Sequence, residues 1–155
     1  MRVLFMCTAN SCRSILSEAM FNHLAPEGFQ AVSAGSFPKG QVLPRSLSTL
    51  QEAGIAIDGL SSKGNDAFET TPPDIVITVC DKAAGEACPL YFGPALKAHW
   101  GLEDPSDIKG DEAVSAAFHS TLAHIEARCR AFLDLPFAQL DRDALKRELD
   151  RIGTL

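Results

Sequence analysis

A chain of 155 residues, 46% hydrophobic and 22% charged, is long enough for one domain with a buried core, and its ordinary globular composition excludes disordered and fibrous classes. Its formal net charge is −6, with no basic block or Arg/Lys stripe, which excludes nucleic acid and anionic membrane surfaces as partners. Met1–Met6 is apolar for only a strand's length and no segment approaches a membrane span, so the chain reads as cytoplasmic, without a signal peptide. No repeat, low-complexity tract or linker interrupts it, and residues 1–155 are expected to form a single domain.

Val3–Met6 is a short apolar run of the kind that forms a strand buried on both faces. A polar segment, Cys7–Ser14, follows, and then Ile15, Leu16, Ala19, Met20 and Leu24 recur at helical spacing as far as Pro26. Phe29–Ser33 reads as a second strand stopped at Gly35. Pro44 suits the first turn of a helix that carries Leu47 and Leu50 and ends at Gly54. After the break at Pro72-Pro73, Asp74–Val79 is the strongest strand signal, with Cys80 at its end. Ala95–Trp100 is a weaker fourth strand. Phe118, Leu122, Ile125, Cys129 and Phe132 mark one face of a long helix, and a last helix starts at the N-cap Asp141 and stops at Gly153.

Strands alternating with helices predict an α/β sandwich around a parallel sheet, whose ligands bind at the carboxyl ends of the strands. The polar loop after the first strand and Cys80 after the third both fall at that edge. Five cysteines without an export signal read as reactive, redox or buried thiols, and their odd number leaves at least one without an intramolecular partner.

The loop Cys7-Thr8-Ala9-Asn10-Ser11-Cys12-Arg13-Ser14 joins a strand end to a helix start. Unpaired N–H groups and the helix dipole favour a bound anion at such a junction. A thiol in that positive field has its pKa drawn from about 8.5 toward the ~3.5–7.5 range. Arg13 offers a planar fork of donors to a tetrahedral oxyanion, and Ser14 is placed to hydrogen-bond a thiolate. Together they make a site for nucleophilic attack on a phosphate-like centre. The plainer alternative is a tight turn around a buried thiol.

Cys-x5-Arg-Ser directly after the first strand resembles the signature loop of the low-molecular-weight tyrosine phosphatase superfamily, and Asn10 and Cys12 match its longer pattern. The resemblance implies a three-layer α/β sandwich with an open four-stranded parallel sheet. Trp100-Gly101-Leu102-Glu103-Asp104-Pro105-Ser106 resembles that superfamily's Asp-Pro loop, which makes Asp104 the expected general acid. Like charge beside a bound oxyanion favours the protonated carboxyl. The competing reading of Asp104 is a turn starter ahead of Pro105.

Cys80 and Cys88, the latter followed by Pro89, resemble the redox segment of thioredoxin-coupled arsenate reductases within the superfamily. That resemblance implies arsenate reduction by a relay through Cys7, Cys80 and Cys88, recycled by thioredoxin or by glutathione and glutaredoxin. Phosphate and sulfate are the expected competing oxyanions. No metal or organic cofactor is required. Two other functions use the same residues: a tyrosine phosphatase working with Cys7, Arg13 and Asp104, and a thiol redox sensor or arsenic-binding regulator with no use for Arg13 or Asp104.

Asn10, Glu18, Ser33 and Ser61 align with positions that bind potassium in some reductases of this family, and Lys63 stands in place of an acidic ligand. The expectation is that the Lys63 ammonium replaces a monovalent cation, against the alternative of a solvated surface lysine. Cys12 reads either as loop packing or as a protective disulfide partner for Cys7, and Cys129 as core. His23, His99, His119 and His124 show no ligand spacing.

Overall fold

The computed structural model describes residues 1–68, 71–79 and 95–155. Four strands, β1 (Arg2–Cys7), β2 (Gln30–Gly35), β3 (Ile75–Thr78) and β4 (Leu96–His99), form one parallel sheet in the order β2-β1-β3-β4. Four helices are described: α1 (Arg13–Leu24), α2 (Pro44–Glu52), α3 (Asp111–Leu133) and α4 (Arg142–Ile152). The expected open, four-stranded α/β sheet is therefore present. Its strands sit within two residues of the predicted limits, with β2 running on to Gly35.

β1 explains why its sequence has no polar face. Val3 and Phe5 pack into a large core with α1, α3 and α4, while Leu4 and Met6 enter a smaller cluster on the opposite face with Val76, Ala34, Ala95 and Phe68. Every residue from Val3 to Met6 is essentially inaccessible, as a central parallel strand requires. Among the described residues, a 3-10 turn at Asn65–Phe68 contributes to covering that second face.

An aromatic cluster joins the two halves of the carboxyl edge. Phe5 lies 6.0 Å from Phe21 and 6.1 Å from Trp100 between ring centroids, and Phe132 of α3 contacts both Phe21 and Trp100. Phe5 is two residues before Cys7, and Trp100 is four before Asp104. Offset and edge-to-face rings at these separations add about 0.5–1.5 kcal/mol per pair beyond burial. Local caps agree with the sequence: Pro44 opens α2, Asp141 accepts the Ala144 N–H at the start of α4, and Gly153 ends it. No helix among the described residues is long and apolar enough to cross a membrane.

Candidate active site

Cys7 is the last residue of β1, paired with Gly35, and α1 begins six residues later at Arg13. What shapes the intervening loop is a second strand of chain outside it. The carbonyls of Cys7, Thr8, Ala9 and Ser11 accept backbone N–H bonds from Ser36 (3.3 Å), Phe37 (2.8 Å), Lys39 (3.1 Å) and Leu43 (3.0 Å). Hydroxyls add to this brace: Ser62 donates to Ala9 O and Ser46 to Ser11 O. In a planar trans peptide the N–H of the next residue points opposite to the carbonyl. With these carbonyls turned outward, the N–H groups of Thr8, Ala9, Asn10 and Cys12 are turned toward the inside of the loop. The first turn of α1 adds N–H groups without intrahelical partners, and Cys12 at its N-cap supplies no side-chain cap. The result is a cradle of donors around one point, suited to a tetrahedral anion.

Asn10 holds the loop's inner bend. It is fully buried, with φ at +48°, an uncommon left-handed conformation that asparagine tolerates better than most residues. Its Nδ2 donates to Ser14 Oγ at 2.8 Å and Ser33 Oγ at 3.0 Å, and its Oδ1 accepts the Lys63 N–H at 2.9 Å. Because Ser14 Oγ accepts from Asn10, the Ser14 hydroxyl proton is left for another acceptor, the role expected of it toward a Cys7 thiolate.

Arg13 and Asp104 meet across the site. The Asp104 Oδ2 atom lies 3.4 Å from Arg13 Nη2, while Arg13 Nη1 donates to Leu102 O at 2.9 Å. Arg13 Nε is buried with no hydrogen-bond partner among the described residues, which leaves a donor for an incoming oxyanion. Asp104 starts the turn that its sequence context allowed, and it also faces Arg13. Its Oδ1 accepts from Ser106 N and Oγ at the head of a 3-10 turn over Pro105–Asp107, and its other oxygen faces the guanidinium.

The Cys12 thiol is buried. That burial, with the Asp104 charge adding to it, pushes its pKa up to about 12, against the opposing pull of the Ser46 hydrogen bond, Arg13 and Lys39. It is therefore protonated at neutral pH. Cys129, wholly enclosed in α3, is likewise pushed up to about 12 by burial, in keeping with its reading as core.

The predicted cation-site residues also come together. Ser33 donates to Glu18 Oε1, the Lys63 ammonium lies 3.8 Å from the same carboxylate oxygen, and Lys63 Nζ donates to Ser61 O at 2.8 Å. Burial raises the Glu18 pKa, partly offset by Ser33 and Lys63, and burial lowers that of Lys63, partly offset by Glu18. Cys80 and Cys88 lie outside the described residues. Sequence reasoning missed Gly35, Ser36, Phe37, Lys39, Leu43, Ser46 and Ser62. Most of them act through the backbone, which leaves no side-chain signature.

Known proteins resemble this chain in sequence and fold. The model of the family described as low molecular weight phosphotyrosine protein phosphatase matches residues 2–148. An arsenate reductase from Halalkalibacterium halodurans is 32% identical over 133 residues, spanning 85% of this chain and 94% of that protein. Among solved structures, an arsenate reductase in a phosphate-binding state superposes with a TM-score of 0.72 at 26% identity, covering 85% of this chain and 95% of that one. A thioredoxin-dependent arsenate reductase from Corynebacterium glutamicum superposes with a TM-score of 0.63 at 27% identity, covering 83% and 58% respectively.

Proposed function

We propose that this chain, which belongs to the low molecular weight phosphotyrosine protein phosphatase family, is an arsenate reductase. The observation that carries this reading is the exit of β3. Val79 donates its N–H to Met6 O at 2.9 Å, so the chain leaves the sheet beside Cys7, and the next residue is Cys80. Phosphoester hydrolysis has no use for a second cysteine at that point of the sequence, whereas reduction of an oxyanion needs a second thiol. The relatives named arsenate reductase support the same choice.

In the proposed reaction the Cys7 thiolate attacks arsenic(V). One As–O bond breaks, and Asp104 gives its proton to the departing oxygen, which leaves as water. Arg13 and the inward N–H groups offset the charge on the remaining oxygens. Cys80 then attacks Cys7 Sγ. The S–As bond breaks with its electron pair moving to arsenic, which departs as arsenite, and a Cys7–Cys80 disulfide remains. Cys88 attacks Cys80, forming the Cys80–Cys88 bridge and releasing the Cys7 thiolate. Arsenate and two thiols thus become arsenite, one disulfide and water. A thioredoxin-type dithiol protein of the cytoplasm is the proposed donor that restores the pair.

Fully reduced protein mixed with excess arsenate and no reductant is expected to release one arsenite per chain. Peptide mapping should then find the Cys80–Cys88 bridge. All thiols intact and no arsenite, with phosphate esters hydrolysed instead, would make the chain a phosphatase. Sustained turnover is expected with thioredoxin and its reductase, and turnover only with glutathione and glutaredoxin would replace that donor.

The Lys63 ammonium, held by Ser61 O and beside Glu18 Oε1, which also accepts from Ser33, takes the place of a monovalent cation. Potassium and sodium buffers are accordingly expected to give the same rate and the same thermal midpoint. Lys63→Ala should acquire a higher midpoint in potassium than in sodium. Strong stimulation of the unaltered protein by potassium would sink the idea.

A further inference from the structure

Arg128 stands out as a charged residue inside the fold. It is 4% exposed, in the C-terminal third of α3, and its guanidinium donates to main-chain oxygens: Gly101 O from Nη1 at 3.0 Å, and Gly153 O and Leu155 O, the latter on the last residue, from Nη2 at 3.1 and 3.2 Å. Its Nε is buried with no partner, and no acidic side chain pairs with it among the described residues. Burial alone lowers its pKa. Burying a guanidinium is costly even where main-chain oxygens receive it, and an apolar side chain of similar volume is often tolerated in such a place. Its distinguishing feature is therefore the set of main-chain oxygens it ties together.

What it holds is the root of the acid loop. Trp100 N donates to Thr78 O, Leu102 N to Val79 O, and Trp100 Nε1 to Leu149 O of α4. Arg13 holds Leu102 O from the active-site side, and Arg128 holds the preceding carbonyl, Gly101 O. Two guanidiniums thus grip consecutive carbonyls three and two residues before Asp104. The end of α4 is pressed against the same place, because a Cβ on Gly153 would lie 2.5 Å from His99 O and 2.9 Å from Trp100 Cδ1.

We infer that Arg128 is a positioning residue for the reaction: by fixing Gly101 it sets where Asp104 presents its carboxyl to the departing oxygen. The inference rests on the reading of Asp104 as general acid. A double-mutant cycle on single-turnover arsenite formation tests both. Asp104→Asn is expected to slow the reaction roughly 100-fold. Arg128→Gln is expected to slow it about 10-fold through misplacement of the acid, with arsenate affinity, read from protection of Cys7 against alkylation, unchanged. Combining the two should give no loss beyond that of Asp104→Asn. Arg128→Lys keeps the charge but lacks the fork that spans separate carbonyls, so it should behave like Arg128→Gln. It also carries the same cycle if Arg128→Gln does not fold. Losses that multiply in the double variant, or full activity of a folded Arg128 variant, would overturn the inference. Full activity of Asp104→Asn would instead overturn the assignment of the acid.

Discussion

Arg13→Ala is expected to lower kcat/KM for arsenate by about 10³-fold, with the rate of Cys7 alkylation unchanged. Removing one preorganised oxyanion donor commonly lowers turnover by about 10²–10³-fold, and here the same side chain has a second task. Its Nη1 holds Leu102 O and its Nη2 faces Asp104, so truncation unfastens the acid loop as it empties the cradle. Arg13→Lys should recover little. An ammonium offers no rigid fork with which to bridge Leu102 O, Asp104 and the oxyanion together. Steady-state kinetics beside thiol alkylation decides the matter. A variant within threefold of the parent would mean that the cradle works without a guanidinium, and turnover by the protein would then need another explanation.

Gly35→Ala is expected to weaken oxyanion binding by about 10²-fold, the scale associated with a displacement near 1 Å in a catalytic arrangement. The Cβ it introduces would lie 2.5 Å from Thr8 O, 2.9 Å from Asn10 N and 3.0 Å from Asn10 Cβ. The two closest are backbone atoms of the cradle, and a flexible side chain cannot absorb the overlap. The loop itself must move. Overpacking of this kind also destabilises proteins by about 1–3 kcal/mol, so a lower urea midpoint should accompany the loss. Protection of Cys7 by phosphate gives the binding change directly. Protection matching that of the parent would show that the loop keeps its shape without close approach to β2.

Residues that act through side-chain identity were legible in the sequence. The double-sided apolar run of β1, the Cys7–Ser14 loop and the Asp141 and Gly153 limits of α4 follow from patterns whose physical causes are local. Asp104 was legible as two alternatives; the structure shows the turn and turns the other carboxylate oxygen toward Arg13, the placement on which the proposed acid role rests. The brace around the cradle was not legible, because Ser36, Phe37, Lys39 and Leu43 contribute main-chain N–H groups that any residue but proline would supply. Arg128 was hidden for the opposite reason. The apolar stripe of α3 includes its neighbour Cys129, and a charged residue beside such a stripe reads as solvated until the carbonyls of Gly101 and Gly153 are seen to face it.

Because four of the cradle's carbonyls are tied to residues 36–43, the donors stand ready before any anion arrives. A rigid socket of N–H groups answers to charge and tetrahedral shape, in which phosphate and arsenate scarcely differ. Affinity therefore cannot be where the two are told apart. In the proposed reaction discrimination falls to the later sulfur chemistry, since arsenic bound to Cys7 would readily accept an electron pair and phosphorus would not. Phosphate should accordingly behave as a simple competitor that occupies the socket and leaves unchanged. The protection such a protein gives a cell would then follow the ratio of the two anions, and the same arsenate concentration would be more harmful to a phosphate-rich cell than to a phosphate-poor one.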